Sequence, residues 1–251
     1  MDQMSTPHFP TDYDQYAPTY AWARSAFAWV LAPLRRAVNR LPAASTVLEP
    51  GCGTGNYVCA LGESRPGLRY VGLDLSGPML HHARARRSPV RFVRADAAVA
   101  FPFRDATCAL VFAVDVVHHL DSLPRFFQEV RRVLGSGGRL IIVTDSEQTM
   151  RERSLTAYFP DVLAIEQRRY PTPGQLHTAA GVAGLRLEAQ ERAVGDVPLS
   201  DEFVARLAAK CSSALRLLPP DAHAAGMARV RAGQAQGRLW RSHYLVLHYA
   251  T

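Results

Sequence analysis

The segment Glu49-Pro50-Gly51-Cys52-Gly53-Thr54-Gly55 constrains this chain more than any other. Its three glycines permit tight backbone turns and let a ligand approach the main chain. It follows a short apolar run, Thr46-Val47-Leu48, and opens a helical stretch at 55–63. Gly-x-Gly alone is a weak signal, because turns use glycine freely. The context is informative: a second strand-like run, Arg69 to Leu73, closes on Asp74, about 20 residues further on. A carboxylate at that point can accept hydrogen bonds from both ribose hydroxyls of a nucleoside ligand. A phosphate-cradling loop would need a Lys-Ser/Thr pair after the glycines, and this stretch has no lysine. The dinucleotide fingerprint needs glycine at 56, where this chain has Asn56. Glu49 would repel a pyrophosphate and suits a ligand with a cationic end.

Further strand candidates lie at Val90–Arg94, Cys108–Val114 and Arg139–Thr144, with helix candidates at 77–87 and 122–134 between them. Strands alternating with helices imply right-handed βαβ units and a parallel sheet. Such sheets bind ligands beyond the carboxyl ends of their strands. Ahead of this core, residues 1–19 read as a loose arm, and Tyr20–Arg40 as a helix ended by Pro42. Beyond residue 145 an Arg-rich polar stretch runs to Tyr170. A helix at Gln175–Ala183 and a strand at Arg186–Ala193 follow. Two helices, 200–217 and 221–236, then precede a last strand at His243–Tyr249, which suggests an edge hairpin with a helical lid inserted. Pro171–Gly174 and Leu218–Asp221 look like linkers.

Composition excludes several classes. With 251 residues, 48% hydrophobic and 20% charged, the chain has the make-up of one globular α/β domain. Its most apolar segment, Cys108–Val117, is interrupted by Asp115 and does not reach the length of a membrane span. Met1–Asp14 is polar and acidic, unlike a signal peptide, so a cytoplasmic location is expected. Cys52, Cys59, Cys108 and Cys211 show no CxxC pairing and read as reduced, mostly buried thiols. The net charge of +7 invites a nucleic-acid partner. Yet Lys210 is the single lysine among 29 basic residues, and the arginines are dispersed along the chain.

Several motifs occur together over residues 45–145. They are Val47–Gly55, Gly72-Leu73-Asp74-Leu75-Ser76 with Met79-Leu80, Arg94-Ala95-Asp96-Ala97, Asp115-Val116-Val117-His118-His119-Leu120, and Glu129–Leu134 with Gly137–Leu140. In this order and spacing they resemble the class I S-adenosylmethionine-dependent methyltransferases, in particular the small-molecule group called type 11. The resemblance implies a Rossmann-like α/β fold. Its seven-stranded sheet would be mostly parallel, with the last strand antiparallel, helices on both faces and a helical lid insertion. It implies one domain over 1–251: an arm and helix at 1–44, a cofactor-binding core at 45–145, and an acceptor side at 146–251 with the last two strands. The cofactor would be S-adenosyl-L-methionine, leaving S-adenosyl-L-homocysteine. Gly51 and Gly53 would pass close to its methionine end, and Glu49 would help hold its ammonium. Asp74 would take the ribose hydroxyls, Leu75 and Met79 would pack on the adenine, and Asp96 and Ala97 would contact its edge. Val114 would face the methionine portion. From the N-terminal segment, Tyr20 would close over the cofactor and Arg24 would meet its carboxylate, with Tyr13 and Tyr16 as further candidates. An ordinary amphipathic helix with a solvated Arg24 is the alternative.

Methyl transfer is a displacement at a sulfonium methyl, and positioning alone supplies much of its rate. A hydroxyl or carbon acid would also need a base. His118 and His119 follow the fourth strand and are the candidates; imidazole titrates near neutrality. The alternative for both is a structural role. Asp115, His118 and His119 are too few to predict a metal. Thr144, Asp145 and Ser146 fall at the pocket mouth, and Tyr16, Ser146, Arg151, Tyr158, Arg169 and Tyr170 are expected on the substrate side. The segment 151–169 is either an anion-binding lid over the acceptor or a solvated helix face. The expected partner is a small-molecule acceptor, anionic in the first of those cases, with no membrane and no oligomeric state assigned. Two alternatives stand beside this reading: a tRNA-modifying methyltransferase, and a fold relative that binds the cofactor but performs other chemistry.

Overall fold

The computed structural model describes residues 13–251, so the first twelve residues of the expected arm lie outside the described residues. Two helices, α1 (Tyr13–Ala23) and α2 (Ala28–Asn39), lead into β1 (Thr46–Pro50). The core continues with α3 (Asn56–Ser64), β2 (Arg69–Asp74), α4 (Gly77–Ala85), β3 (Arg91–Arg94), β4 (Cys108–Val114), α5 (Leu123–Val133) and β5 (Leu134–Thr144). Three short helices follow: α6 (Glu147–Glu152), α7 (Ser154–Tyr158) and α8 (Val162–Gln167). The chain ends with α9 (Pro173–Val182), β6 (Arg186–Pro198), α10 (Asp201–Ala208), α11 (Ser213–Arg216), α12 (Pro220–Ala235) and β7 (Leu239–Ala250).

The strands form one seven-stranded sheet in the order β3-β2-β1-β4-β5-β7-β6. β1 to β5 pair in parallel, and β7 runs antiparallel to both β5 and β6. Both faces are covered, so the central strands read as unbroken apolar runs. Along β4, Leu110, Phe112 and Val114 pack with Val30, Leu34, Val58 and Leu61 of α2 and α3. The alternate residues Val111 and Ala113 pack with Phe126, Val130 and Leu176 of α5 and α9 on the other face. A third cluster joins α7 and α8 to α10–α12 around Phe159, Leu215 and Trp240. Of these helices, α10–α12 lie between β6 and β7 in sequence, as the lid expectation required, whereas α7 and α8 precede β6. All four cysteines are buried free thiols. No helix among the described residues is long and apolar enough to cross a membrane.

The sequence reading needs correction at its breaks. The arm is helical from Tyr13, and the expected Tyr20–Arg40 helix is two helices separated at 24–27. The expected helix 200–217 also divides, where Lys210 takes a left-handed φ of 53°. The Arg-rich stretch is three short helices. Pro171–Gly174 is no linker: Thr172 caps α9 in a reciprocal capping box with Gln175, and Pro173 opens the helix.

Helix α12 buries Gly226, Met227, Val230 and Gly233. A Cβ at Gly226 would stand 2.0 Å from the Phe159 ring. Alanine gains about 1 kcal/mol over glycine in a helix interior. Overpacking costs about 1–3 kcal/mol, so the clash wins. Gly226→Ala is expected to lower the urea midpoint of unfolding; an unchanged or raised midpoint contradicts this packing.

Candidate active site

The strand order reverses between β1 and β4, and the crevice that opens there carries the predicted residues. Gly51 leaves β1 with a φ of +69°, and an added Cβ would stand 2.2 Å from Val116 Cγ2. Only glycine lets the chain turn against the loop after β4. The turn is tied to β2 by Asp74: its Oδ2 accepts from the Gly53 N–H at 2.7 Å and its Oδ1 from the Ser76 N–H at 2.9 Å. Burial pushes the Asp74 carboxyl up, and these backbone donors oppose that.

Two chambers meet at this crevice. The first, of about 310 Å³, is bordered by Gly51, Gly53, Asp74, Leu75, Met79, Asp96, Ala97 and Val114, all expected at the cofactor. Asp96 lines this wall and caps its own turn, accepting from the Ala98 N–H at 2.8 Å. The second chamber, of about 360 Å³, opens between the sheet end and the helical block. Its apolar walls include Phe27, Trp29, Tyr170, Phe203 and Trp240. Tyr13, Tyr20, Asp115 and His119 border both chambers.

Glu49 and Arg24 are placed differently from the other cofactor candidates. Both border a crevice of about 20 Å³ with Gly51, Cys52, Val114 and Asp115, and neither lines the first chamber. Glu49 is buried and accepts from the Val58 N–H of α3 at 3.0 Å; burial pushes its carboxyl well up. Arg24 already meets a carboxylate inside the protein, Asp115 Oδ2, at 3.1 Å.

The histidines differ from each other. His118 stacks on Tyr170 with ring centroids 3.9 Å apart, and its Nδ1 is buried without a hydrogen-bond partner among the described residues. Burial holds its imidazole well below the usual range, so it stays neutral. His119 Nε2 shares a hydrogen bond of 2.7 Å with the Tyr13 hydroxyl.

Of the substrate-side expectations, only Tyr170 lines the second chamber. Tyr16 lies beneath the Arg216 guanidinium, 3.7 Å from its ring centre. Ser146 caps α6 with Thr149. Arg151 is exposed and paired with Glu147 at 2.7 Å. Tyr158 is core, stacked on Trp240. Arg169 is buried and donates to Ser213 Oγ at 3.1 Å. The Arg-rich segment therefore splits between a solvated face and a buried one.

Among the charges of the second chamber, Asp145 was expected at the pocket mouth, whereas Arg153 and Glu166 were covered only by the two alternatives given for 151–169. Arg153 is ion-paired with both Asp145 and Glu166, and all three are buried. Asp145 directly follows β5, as Asp115 follows β4; a carboxylate ending an apolar strand was the available signal. Arg153 and Glu166 gave none, because only the fold of α6–α8 brings them in.

The core that carries these positions matches a known family model. Residues 48–142 match the Methyltransferase domain model. Over those residues the chain carries a methyltransferase domain. It is 32% identical over 123 residues to a tRNA (guanine-N(7)-)-methyltransferase of Rubrobacter xylanophilus, covering 42% of this chain and 53% of that one. It is 34% identical over 146 residues to the malonyl-[acyl-carrier protein] O-methyltransferase of Hahella chejuensis, covering 58% and 52%. The chain thus spans about half the length of these relatives. Among solved structures, an Anabaena variabilis protein described as a candidate methyltransferase of an antibiotic biosynthesis pathway superposes with a TM-score of 0.69. It is 19% identical and covers 92% of this chain and 99% of its own. That likeness shows the fold.

Burial raises the Asp145 carboxyl from an ordinary 3.8 to about 6, against the opposing pull of Arg153. The folded state then holds this proton more tightly than the unfolded state does. The stability carried by Asp145 is present below about pH 4 and is lost as pH rises through about 6. Across that window, Asp145→Asn is expected to remove a downward slope from a plot of stability against pH. A gap between the two curves that does not change with pH would contradict the assignment.

Proposed function

We propose that this protein transfers the methyl group of S-adenosylmethionine to a small-molecule metabolite. The observation that carries the reading is the pair of chambers meeting at Tyr13, Tyr20, Asp115 and His119. One has the walls a nucleoside needs: bare backbone at Gly51 and Gly53, the Asp74 carboxylate, and apolar Leu75, Met79 and Ala97. A carboxylate offers about four lone-pair sites, so Asp74 retains acceptors for ribose hydroxyls beside its backbone donors. Glu49 and Val114 border the small crevice beside Gly51, the side on which the methionine end would lie. When bound, the cofactor supplies an activated methyl on a sulfonium.

The second chamber has the size and mixed lining of a small-molecule pocket. Arg24, Arg153, Arg206 and Arg241 line it, and each is ion-paired with a carboxylate of this chain. An anionic acceptor would find no unpaired guanidinium among these four, so we do not assign the acceptor a negative charge. In this reading His118 is structural, and His119 with Tyr13 walls the junction and positions the acceptor. Positioning of this kind supplies most of the rate in a direct displacement.

Asp74→Ala is expected to weaken S-adenosylmethionine binding by roughly 10–100-fold, the worth of hydrogen bonds to a charged group. Calorimetry reads this, with circular dichroism to establish that the variant is folded; undiminished affinity removes Asp74 from the cofactor. The acceptor class is tested by incubating methyl-labelled cofactor with a metabolite extract and, separately, with unmodified tRNA. Label is expected in the metabolite fraction. Label confined to tRNA would establish the other reading, to which the Rubrobacter relative is similar; cofactor binding without any transfer would favour non-methylating chemistry.

A further inference from the structure

Of the residues bordering both chambers, Asp115 alone is acidic. Its Oδ2 is paired with Arg24 Nη2 at 3.1 Å. Its Oδ1 is buried and has no hydrogen-bond donor among the described residues. Leaving a buried acceptor unsatisfied costs about 1–3 kcal/mol, and more when it is charged. The backbone is strained as well: Asp115 takes a φ of +52°, held by its N–H donating to Val143 O at 3.0 Å. Non-glycine residues are uncommon in that region, and where the surroundings impose it the strain tends to mark a working site. Two separate costs thus fall on one residue, at the point where a donor chamber and an acceptor chamber meet.

We propose that Asp115 Oδ1 receives the O–H or N–H of a neutral acceptor whose flat apolar body fills the second chamber. This rests on the methyl-transfer reading above. The rings of Phe27, Trp29, Tyr170, Phe203 and Trp240 suit such a body, since aromatic pairs gain beyond their buried area. Each guanidinium lining the chamber is already ion-paired, so none is free to draw in an anionic one. Arg24 fixes the orientation of the carboxylate by holding Oδ2, which leaves Oδ1 as the one oxygen for the acceptor. As the lone pair of the acceptor's oxygen or nitrogen forms its bond to the methyl carbon, the carbon–sulfur pair stays with sulfur, giving a neutral thioether. The acceptor's proton passes to Asp115 Oδ1. Asp115 is in this sense a catalytic residue.

The probes are 2-naphthol and 2-methoxynaphthalene, which share a ring system and differ in the hydrogen offered to Asp115. Their affinities are measured by calorimetry on protein saturated with S-adenosylhomocysteine. The wild-type protein is expected to bind 2-naphthol at least tenfold more tightly. Asn tolerates a positive φ, so Asp115→Asn preserves the backbone. Its amide oxygen would turn to Arg24 and its NH2 to the chamber, so a donor replaces the acceptor. The preference should fall to threefold or less, while S-adenosylhomocysteine affinity stays within threefold of wild type. Asp115→Gly, which also accepts this φ, should abolish the preference in the same way. Equal binding of the two probes by the wild type, or binding of neither, overturns the proposal. So does a preference that survives both substitutions. A tenfold loss of S-adenosylhomocysteine affinity in Asp115→Asn would assign the carboxylate to the donor and also overturn it. If the wild type fails to bind S-adenosylhomocysteine, it is the methyl-transfer reading itself that fails.

Discussion

The reversal of strand order between β1 and β4 is the constraint from which the rest of this site follows. β2 and β3 build outward from one side of β1, and β4 and β5 from the other. The connections that leave β1 and β4 therefore diverge, and no crossover helix covers the gap between them. The backbone must bend sharply there, which Gly51 achieves at a φ of +69° in contact with Val116. Asp74 then fixes the bend by accepting the Gly53 N–H, so the end of β2 holds the loop after β1. Gly51 and Asp115, both left-handed, directly follow adjacent parallel strands at the gap.

How much was legible in the sequence depended on the range of the forces involved. The apolar runs of β1, β4 and β5 lie on both buried faces of a parallel sheet, and each announces itself without reference to any partner. The glycine loop and Asp74 are tied by contacts at the ends of neighbouring strands, so spacing alone placed them. The family resemblance supplied Leu75, Met79, Asp96, Ala97 and Val114, which line one chamber with Gly51, Gly53 and Asp74.

The second chamber was less legible because it is assembled at long range. The pair Arg153–Asp145 spans eight residues and Arg153–Glu166 thirteen, across three short helices with no strong period of their own. In sequence Arg151 and Arg153 look equivalent. The turn between α6 and α7 sends Arg151 to solvent and Arg153 into the core. Tyr158 and Tyr170 diverge in the same way, one into the packing of Trp240 and the other onto His118. Residue type gave the chemistry of this segment, and only tertiary packing decided which copies use it.

The first helix ties the two halves of the site together, and it does so with polar contacts. Asp14 accepts from Ser76 Oγ at 2.5 Å, the Tyr13 hydroxyl meets His119 at 2.7 Å, and Arg24, just past the helix, meets Asp115 at 3.1 Å. Each such bond contributes about 0.5–1.5 kcal/mol net, or up to about 3 where a charge is involved. The helix buries only Ala17 and Ala23, and Pro18 interrupts its hydrogen bonding. By contrast, α5 buries Phe126, Phe127, Val130 and Val133. Each large side chain of that set is worth about 1.5–3 kcal/mol. Displacing α1 from the sheet end therefore costs far less than displacing α5 from its face. The element that walls both chambers is the one whose attachment is directional and weak. These contacts reach β2's end, the histidine pair and Asp115 in turn, so the walls of both chambers depend on the same few hydrogen bonds.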